Sequence, residues 1–198
     1  MVGKIITTIA LIGAFTFSHS VLAIEPTAKM LADTCAGCHG PGGASHGPAT
    51  PSIAGLSLDY FKISMTDFKS GSRASTIMGR IAKGYSDNQI QAMADYYSAK
   101  PFAVSRYQTD SVKAALGQKL HAQYCDQCHE QNGTSNSAKG PALAGQIKSY
   151  VAMSLEDFIT KKRFAPPKMK TKLIDLMEAS GQEGVNALVE FYASRKPE

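Results

Sequence analysis

The chain has 198 residues, 43% hydrophobic and 19% charged, with four cysteines and no tryptophan. That length suits one sizeable domain or two small ones, and the apolar fraction excludes a disordered chain. The formal charge of +5 is too small for a nucleic-acid binder, whose cations concentrate in a stripe, and the 17 glycines keep no collagen-like period.

Residues 1–23 read as an export signal. Lys4 supplies the positive start, residues 5–17 are a mostly apolar run, and Val21-Leu22-Ala23 offers a cleavage site. The run is shorter than the roughly 18–20 residues a spanning helix needs. No later segment reaches that length, so the expected mature chain is periplasmic, with no membrane span. In that oxidising compartment four free thiols are not expected.

Predicted elements follow in order. Residues 27–34 and 111–124 form helices that lead into two cysteine motifs, and 58–68 and 150–159 carry apolar residues at helical spacing. Ser86 with Gln89, and Ser180 with Glu183, have the form of capping boxes, each opening a final helix. Pro101 stops the helix before it, and Asp110 is an N-cap for the next. The Gly- and Pro-rich stretches 40–55 and 130–145 read as loops lining a site. No alternating strand pattern appears, so the fold class is all-α.

A repeat organises these elements. Laying 35–73 on 125–163 without a gap gives 13 identities in 39 positions. Unrelated segments give roughly two or three. The matches include Pro51 with Pro141, Tyr60 with Tyr150, and Arg73 with Arg163. Two tandem domains are the economical reading: 1–23 as the cleaved signal, 24–105 as domain 1 and 106–198 as domain 2. Domains that small have marginal cores, so a bound cofactor would help each to fold.

The motifs name that cofactor. Cys35-Ala36-Gly37-Cys38-His39 and Cys125-Asp126-Gln127-Cys128-His129 both have the Cys-x-x-Cys-His form. On one helical turn the two thiols share a face and can add to two vinyl groups of a porphyrin, with the histidine held beneath the iron. A zinc ribbon wants its pairs some 15–20 residues apart, and a redox dithiol leaves both histidines unexplained. Two covalently bound haem c groups follow, with His39 and His129 as axial ligands.

The sixth ligands should lie at matching distances in the two halves. Met78 stands almost as far beyond Cys38 as Met169 does beyond Cys128, each after the shared arginine. Thioether ligation favours reduced iron and suits an electron carrier. Met65, Met153 and Met30 read as core, Met93 sits in the last helix of its half, and His46 and His121, unrepeated in the other half, read as exposed or backbone-bonded. Pro51 lies as far past His39 as Pro141 lies past His129, and a carbonyl there would accept the imidazole's Nδ1 proton. Tyr60, Tyr150, Arg73 and Arg163 are repeated polar-tipped residues placed to bond haem propionates, although surface charge remains open for the arginines.

These residues resemble the tandem dihaem class I cytochromes c across the whole mature chain. Cys-Ala-Gly-Cys-His-Gly at 35–40, Pro-Ser-Ile-Ala-Gly at 51–55 and Arg-Ala-Ser-Thr-Ile-Met-Gly-Arg-Ile-Ala-Lys-Gly-Tyr-Ser-Asp at 73–87 look like the cytochrome subunit of flavocytochrome c sulfide dehydrogenase. In that family the methionine of the last stretch is the distal ligand, which falls on Met78. Pro166-Pro167-Lys168-Met169 fits the corresponding loop of the second half, while 173–184 departs from the Gly-Tyr-Ser-Asp pattern. The resemblance implies an FAD-binding sulfide dehydrogenase subunit as partner and a downstream electron acceptor such as a small cytochrome c. The chain itself carries no dinucleotide fingerprint and no nucleophile paired with a base, so it is read as an electron-transfer protein rather than an enzyme. A free-standing dihaem shuttle to a membrane terminal oxidase is the alternative. Each oxidised haem brings roughly one net negative charge, so the +4 of the mature chain falls to about +2.

Overall fold

The computed structural model describes residues 25–137 and 140–195; the predicted export signal lies outside them. The helices are α1 (Ala28–Asp33), α2 (Ala36–His39), α3 (Leu58–Ser70), α4 (Met78–Ala82), α5 (Asp87–Ser98), α6 (Ser111–Tyr124), α7 (Glu130–Gly133), α8 (Lys148–Ile159) and α9 (Pro167–Ser194). Among the described residues there is no strand beyond two isolated bridges.

Local chemistry sets the helix starts. Ser57 accepts from the Tyr60 amide to open α3, and Ser86 and Gln89 form the predicted reciprocal box at α5. The Asp110 carboxylate accepts from the Val112 and Lys113 amides at α6. The second predicted box does not form. Ser180 and Glu183 flank a sharp kink at Gly181 (φ 54°, ψ −152°), beyond which the final helix runs as expected, but neither side chain makes the capping bond. In the first half Gly84-Tyr85-Ser86 separates α4 from α5, whereas from Lys168 to Ala179 the chain has no glycine or proline to stop the helix.

Each half builds its own core. In the first, α1 and α3 pack on α5, gathering Leu31, Phe61, Met65, Met93 and Tyr97. In the second, α6 and α8 pack on α9 around Leu120, Val151, Leu176, Leu188 and Tyr192. Met65 is buried as expected, and Met93 on α5 is buried with it. Met30 and Met153 are not: they are 60% and 48% exposed. On α1 the buried positions are Leu31 and Ala32, and on α8 Val151, which turns Met30 and Met153 outward.

The halves are tied together across a two-fold-like seam. Arg73 and Arg163 form an antiparallel backbone bridge. The buried Gln146 side chain accepts from the Ser52 amide at 2.8 Å and donates to its carbonyl at 2.9 Å. The Ser105 amide, on the linker, donates to the Gly145 carbonyl at 2.7 Å, and the Ser149 hydroxyl donates to the Pro48 carbonyl. No helix of the described residues is long and apolar enough to cross a membrane.

Candidate functional site

Both cysteine motifs wind into the same turn. The His39 amide donates to the Cys35 carbonyl at 2.9 Å and the His129 amide to the Cys125 carbonyl at 3.0 Å. That turn brings residues three apart to one face, as two thioether attachments need. Cys35 packs against the first core and Cys125 against the second.

The histidines are held alike. His39 Nδ1 lies 2.8 Å from the Pro51 carbonyl and His129 Nδ1 3.0 Å from the Pro141 carbonyl. A carbonyl only accepts, so each Nδ1 carries the proton and Nε2 keeps a free lone pair, the form that binds a metal. Burial lowers both histidine pKa values, which favours the neutral ring, although each carbonyl bond pulls the other way. The acceptors are fixed by a repeated tie. The Gly43 carbonyl accepts from the Ile53 and Ala54 amides, and the Gly133 carbonyl from those of Leu143 and Ala144. In the second half Gly140 lies so close to the ring that a Cβ there would stand 2.8 Å from His129 Cε1.

Met78 opens α4 and Met169 sits in the first turn of α9; both are part-buried against the core of their own half. The chemistry of the set fits haem c twice over: paired thiols on a turn, a neutral imidazole with Nε2 free, and a thioether on a separate element.

Tyr60, Tyr150, Arg73 and Arg163 form one cluster at the seam, and their pairing is crossed. Arg73 donates to the Tyr150 hydroxyl at 2.8 Å and Arg163 to the Tyr60 hydroxyl at 3.2 Å. Each guanidinium also lies over a ring of its own half, Arg73 over Phe68 and Arg163 over Phe158. Among the described residues neither arginine pairs with a carboxylate. Burial opposes ionisation of the Tyr60 phenol, but Arg163 and Arg73 pull it down to about 8. The sequence marked these four residues but not their exchange between halves, because a repeat shows what is duplicated and not what meets what.

His121 departs from expectation. It is 1% exposed, with Nδ1 at 3.0 Å from the Tyr192 hydroxyl and Nε2 at 3.1 Å from Asp126 Oδ1. Its counterpart in the repeat is Leu31, a core residue, and that correspondence was the available signal. His46 is exposed.

The family model for cytochrome c matches residues 24–99. A thiosulfate dehydrogenase electron acceptor from Stutzerimonas stutzeri is 30% identical over 181 residues, covering 84% of this chain and 81% of that protein. This chain belongs to the cytochrome c family. The cytochrome subunit of sulfide dehydrogenase from Chlorobaculum tepidum is 47% identical over 73 residues, 37% of this chain and 66% of that relative. Among solved structures, reduced recombinant cytochrome c4 from Pseudomonas stutzeri superposes with a TM-score of 0.73 at 26% identity, over 85% of this chain and 98% of that one. The fold is two tandem class I cytochrome c units, the four motif cysteines carry two haem c groups, and the role is electron transfer.

Proposed function

We propose that this cytochrome accepts electrons in the periplasm from an FAD-binding subunit that oxidises sulfide, and passes them to a small soluble acceptor. The stretch 73–87 carries this reading, supported by the 47% identity to a sulfide dehydrogenase cytochrome subunit. Residues 1–23 act as the export signal, and the two units divide at 105/106.

Each haem, when bound, supplies a one-electron iron couple. The chain does the rest. His39 and Met78 hold one iron, and His129 and Met169 the other. The Pro51 and Pro141 carbonyls fix each imidazole's tautomer and direction. The crossed Arg73, Arg163, Tyr60 and Tyr150 cluster receives haem propionates. Two guanidiniums without a protein carboxylate are costly in a part-buried seam, and anionic groups from the cofactors satisfy them.

The match to a thiosulfate dehydrogenase electron acceptor over 84% of this chain favours one other donor, an enzyme that oxidises thiosulfate. Affinity purification of the tagged holoprotein from its host, followed by addition of either substrate, separates the two. Co-purification with a flavoprotein and reduction by sulfide only in its presence is the expected result. Reduction by thiosulfate through a non-flavin partner would overturn it.

A further inference from the structure

The duplicated loop that runs to each proposed methionine ligand has two different surfaces. Residues 161–172 hold six cations and no acid, whereas their counterparts 71–81 hold two cations and no acid. Aligned on the paired arginines and methionines, Lys161, Lys162, Lys168 and Lys170 stand where the first half has Gly71, Ser72, Ile77 and Gly79. All four lysines are exposed, and among the described residues none has an ion pair or a side-chain hydrogen bond. Phe164, opposite Ala74 in the repeat, lies between them in the chain and is 78% exposed.

Lys161 carries a second, independent sign. It sits in the left-handed region (φ 62°), where Gly71 closes α3 at φ 84°. Glycine takes that conformation without strain and lysine does not. A strained residue whose side chain makes no local bond in compensation points to a use for its charge.

We propose that this exposed cationic stretch of the second half, residues 161–172, docks a soluble electron-transfer protein with an acidic surface, to which the chain delivers its electrons. The proposal rests on Met169 as the second iron ligand and on the donor engaging the first half. Charged docking faces give fast, salt-sensitive encounters, which suits a carrier that must leave after each delivery. The first-half loop, with Ile77 half exposed and few charges, suits a more durable contact. A lipid surface is the weaker occupant, because one aromatic on a short loop is not the apolar face of an interfacial helix. Each encounter moves one electron: iron on this chain goes from ferrous to ferric, and the partner's carrier gains one electron. No bond or proton is exchanged.

The test uses the dihaem holoprotein, chemically reduced, freed of reductant and mixed in a stopped-flow instrument with oxidised acidic plastocyanin as probe. The expected second-order rate falls steeply with salt, and is about tenfold lower at low salt in a Lys161→Glu, Lys162→Glu, Lys168→Glu variant. A Ser72→Glu, Ala74→Glu variant of the first half keeps the rate. Lys161→Gly is expected to raise the thermal midpoint yet slow the reaction, a combination that a structural role does not give. Equal rates in all variants overturn the proposal, as does equal slowing from the first-half variant. Loss of binding to phosphatidylglycerol vesicles with an unchanged plastocyanin rate assigns the face to membrane instead. The methionine-to-iron charge-transfer band of each variant separates lost ligation from lost docking, and chemical reduction keeps the outcome independent of the sulfide reading.

Discussion

The two halves share one plan and diverge wherever the plan does not constrain them. The cysteine turn recurs. So does the bond from each motif histidine to a proline carbonyl, at 2.8 Å in the first half and 3.0 Å in the second. The arginine stacked on phenylalanine repeats as well, at 4.5 Å and 4.3 Å from the ring centre. Elsewhere the halves differ in kind. α1 has 6 residues and α6 has 14. Tyr97 donates its hydroxyl proton to the Ala32 carbonyl, whereas Tyr192 meets His121. The repeated features are the motif turns, the braces on their histidines and the arginines of the seam; the divergent ones lie in the lead-in helices and what packs on them. Duplication therefore kept what holds a haem and let the surroundings set each haem apart.

The largest expected effect breaks that comparison at the iron. Met78→Ala and Met169→Ala should each lower the potential of a single haem, on the order of 0.1 V or more, since axial ligands command roughly 0.8 V in all. Each variant should also open one haem to added cyanide. Spectroelectrochemical titration of both variants is the check. Two unshifted haems in either variant would return its methionine to an ordinary place in the core.

Arg73→Gln tests whether the halves are independent. The guanidinium bonds Ser64 of its own half and Tyr150 of the other. Loss of one positive charge at the seam should lower both potentials, on the order of tens of millivolts. A shift confined to one haem refutes a shared propionate site. The same titration serves, with haem-resolved spectra to assign each step.

How much of this was legible depended on whether a feature is local or paired across the chain. Cysteine spacing, the Ser86 box and the Asp110 cap are set by residues within a few positions, so sequence alone located them. The Tyr150 partner of Arg73 is distant in the chain and belongs to the other unit, where no local rule reaches. Ser180 shows the opposite failure: the local pattern was present, and the uninterrupted helix before it prevailed. His121 is a polar residue unrepeated in the other half, yet it stands opposite a core leucine, and its burial follows that position rather than its type.

That histidine gives a pH-dependent difference between halves. Burial holds the His121 imidazole below its ordinary 6.5, against the pull of Asp126. Between the depressed folded value and 6.5 the unfolded chain binds a proton that the folded chain does not, so stability is lost as pH falls through that window. His121→Leu, which copies the first half, should flatten the fall in thermal midpoint between about pH 7.5 and about pH 5.5. Calorimetry of wild type and variant at both ends decides it, and an unchanged slope removes His121 from the account.

The smallest effect is the sharpest test of where the halves part. The Ser86 hydroxyl accepts from the Gln89 amide at 3.2 Å, and the Gln89 side chain accepts in return from the Ser86 amide at 3.0 Å. Ser86→Ala should therefore cost about 1 kcal/mol. In a unit of this size that is a fall of roughly 4–8 °C in melting temperature. Ser180 has the same sequence signature but lies inside α9, next to the break at Gly181, and caps nothing there. Ser180→Ala should stay within about 0.5 kcal/mol of wild type. Equal losses at the two positions would mean that Ser180 caps the helix that follows the Gly181 kink, as its sequence suggests.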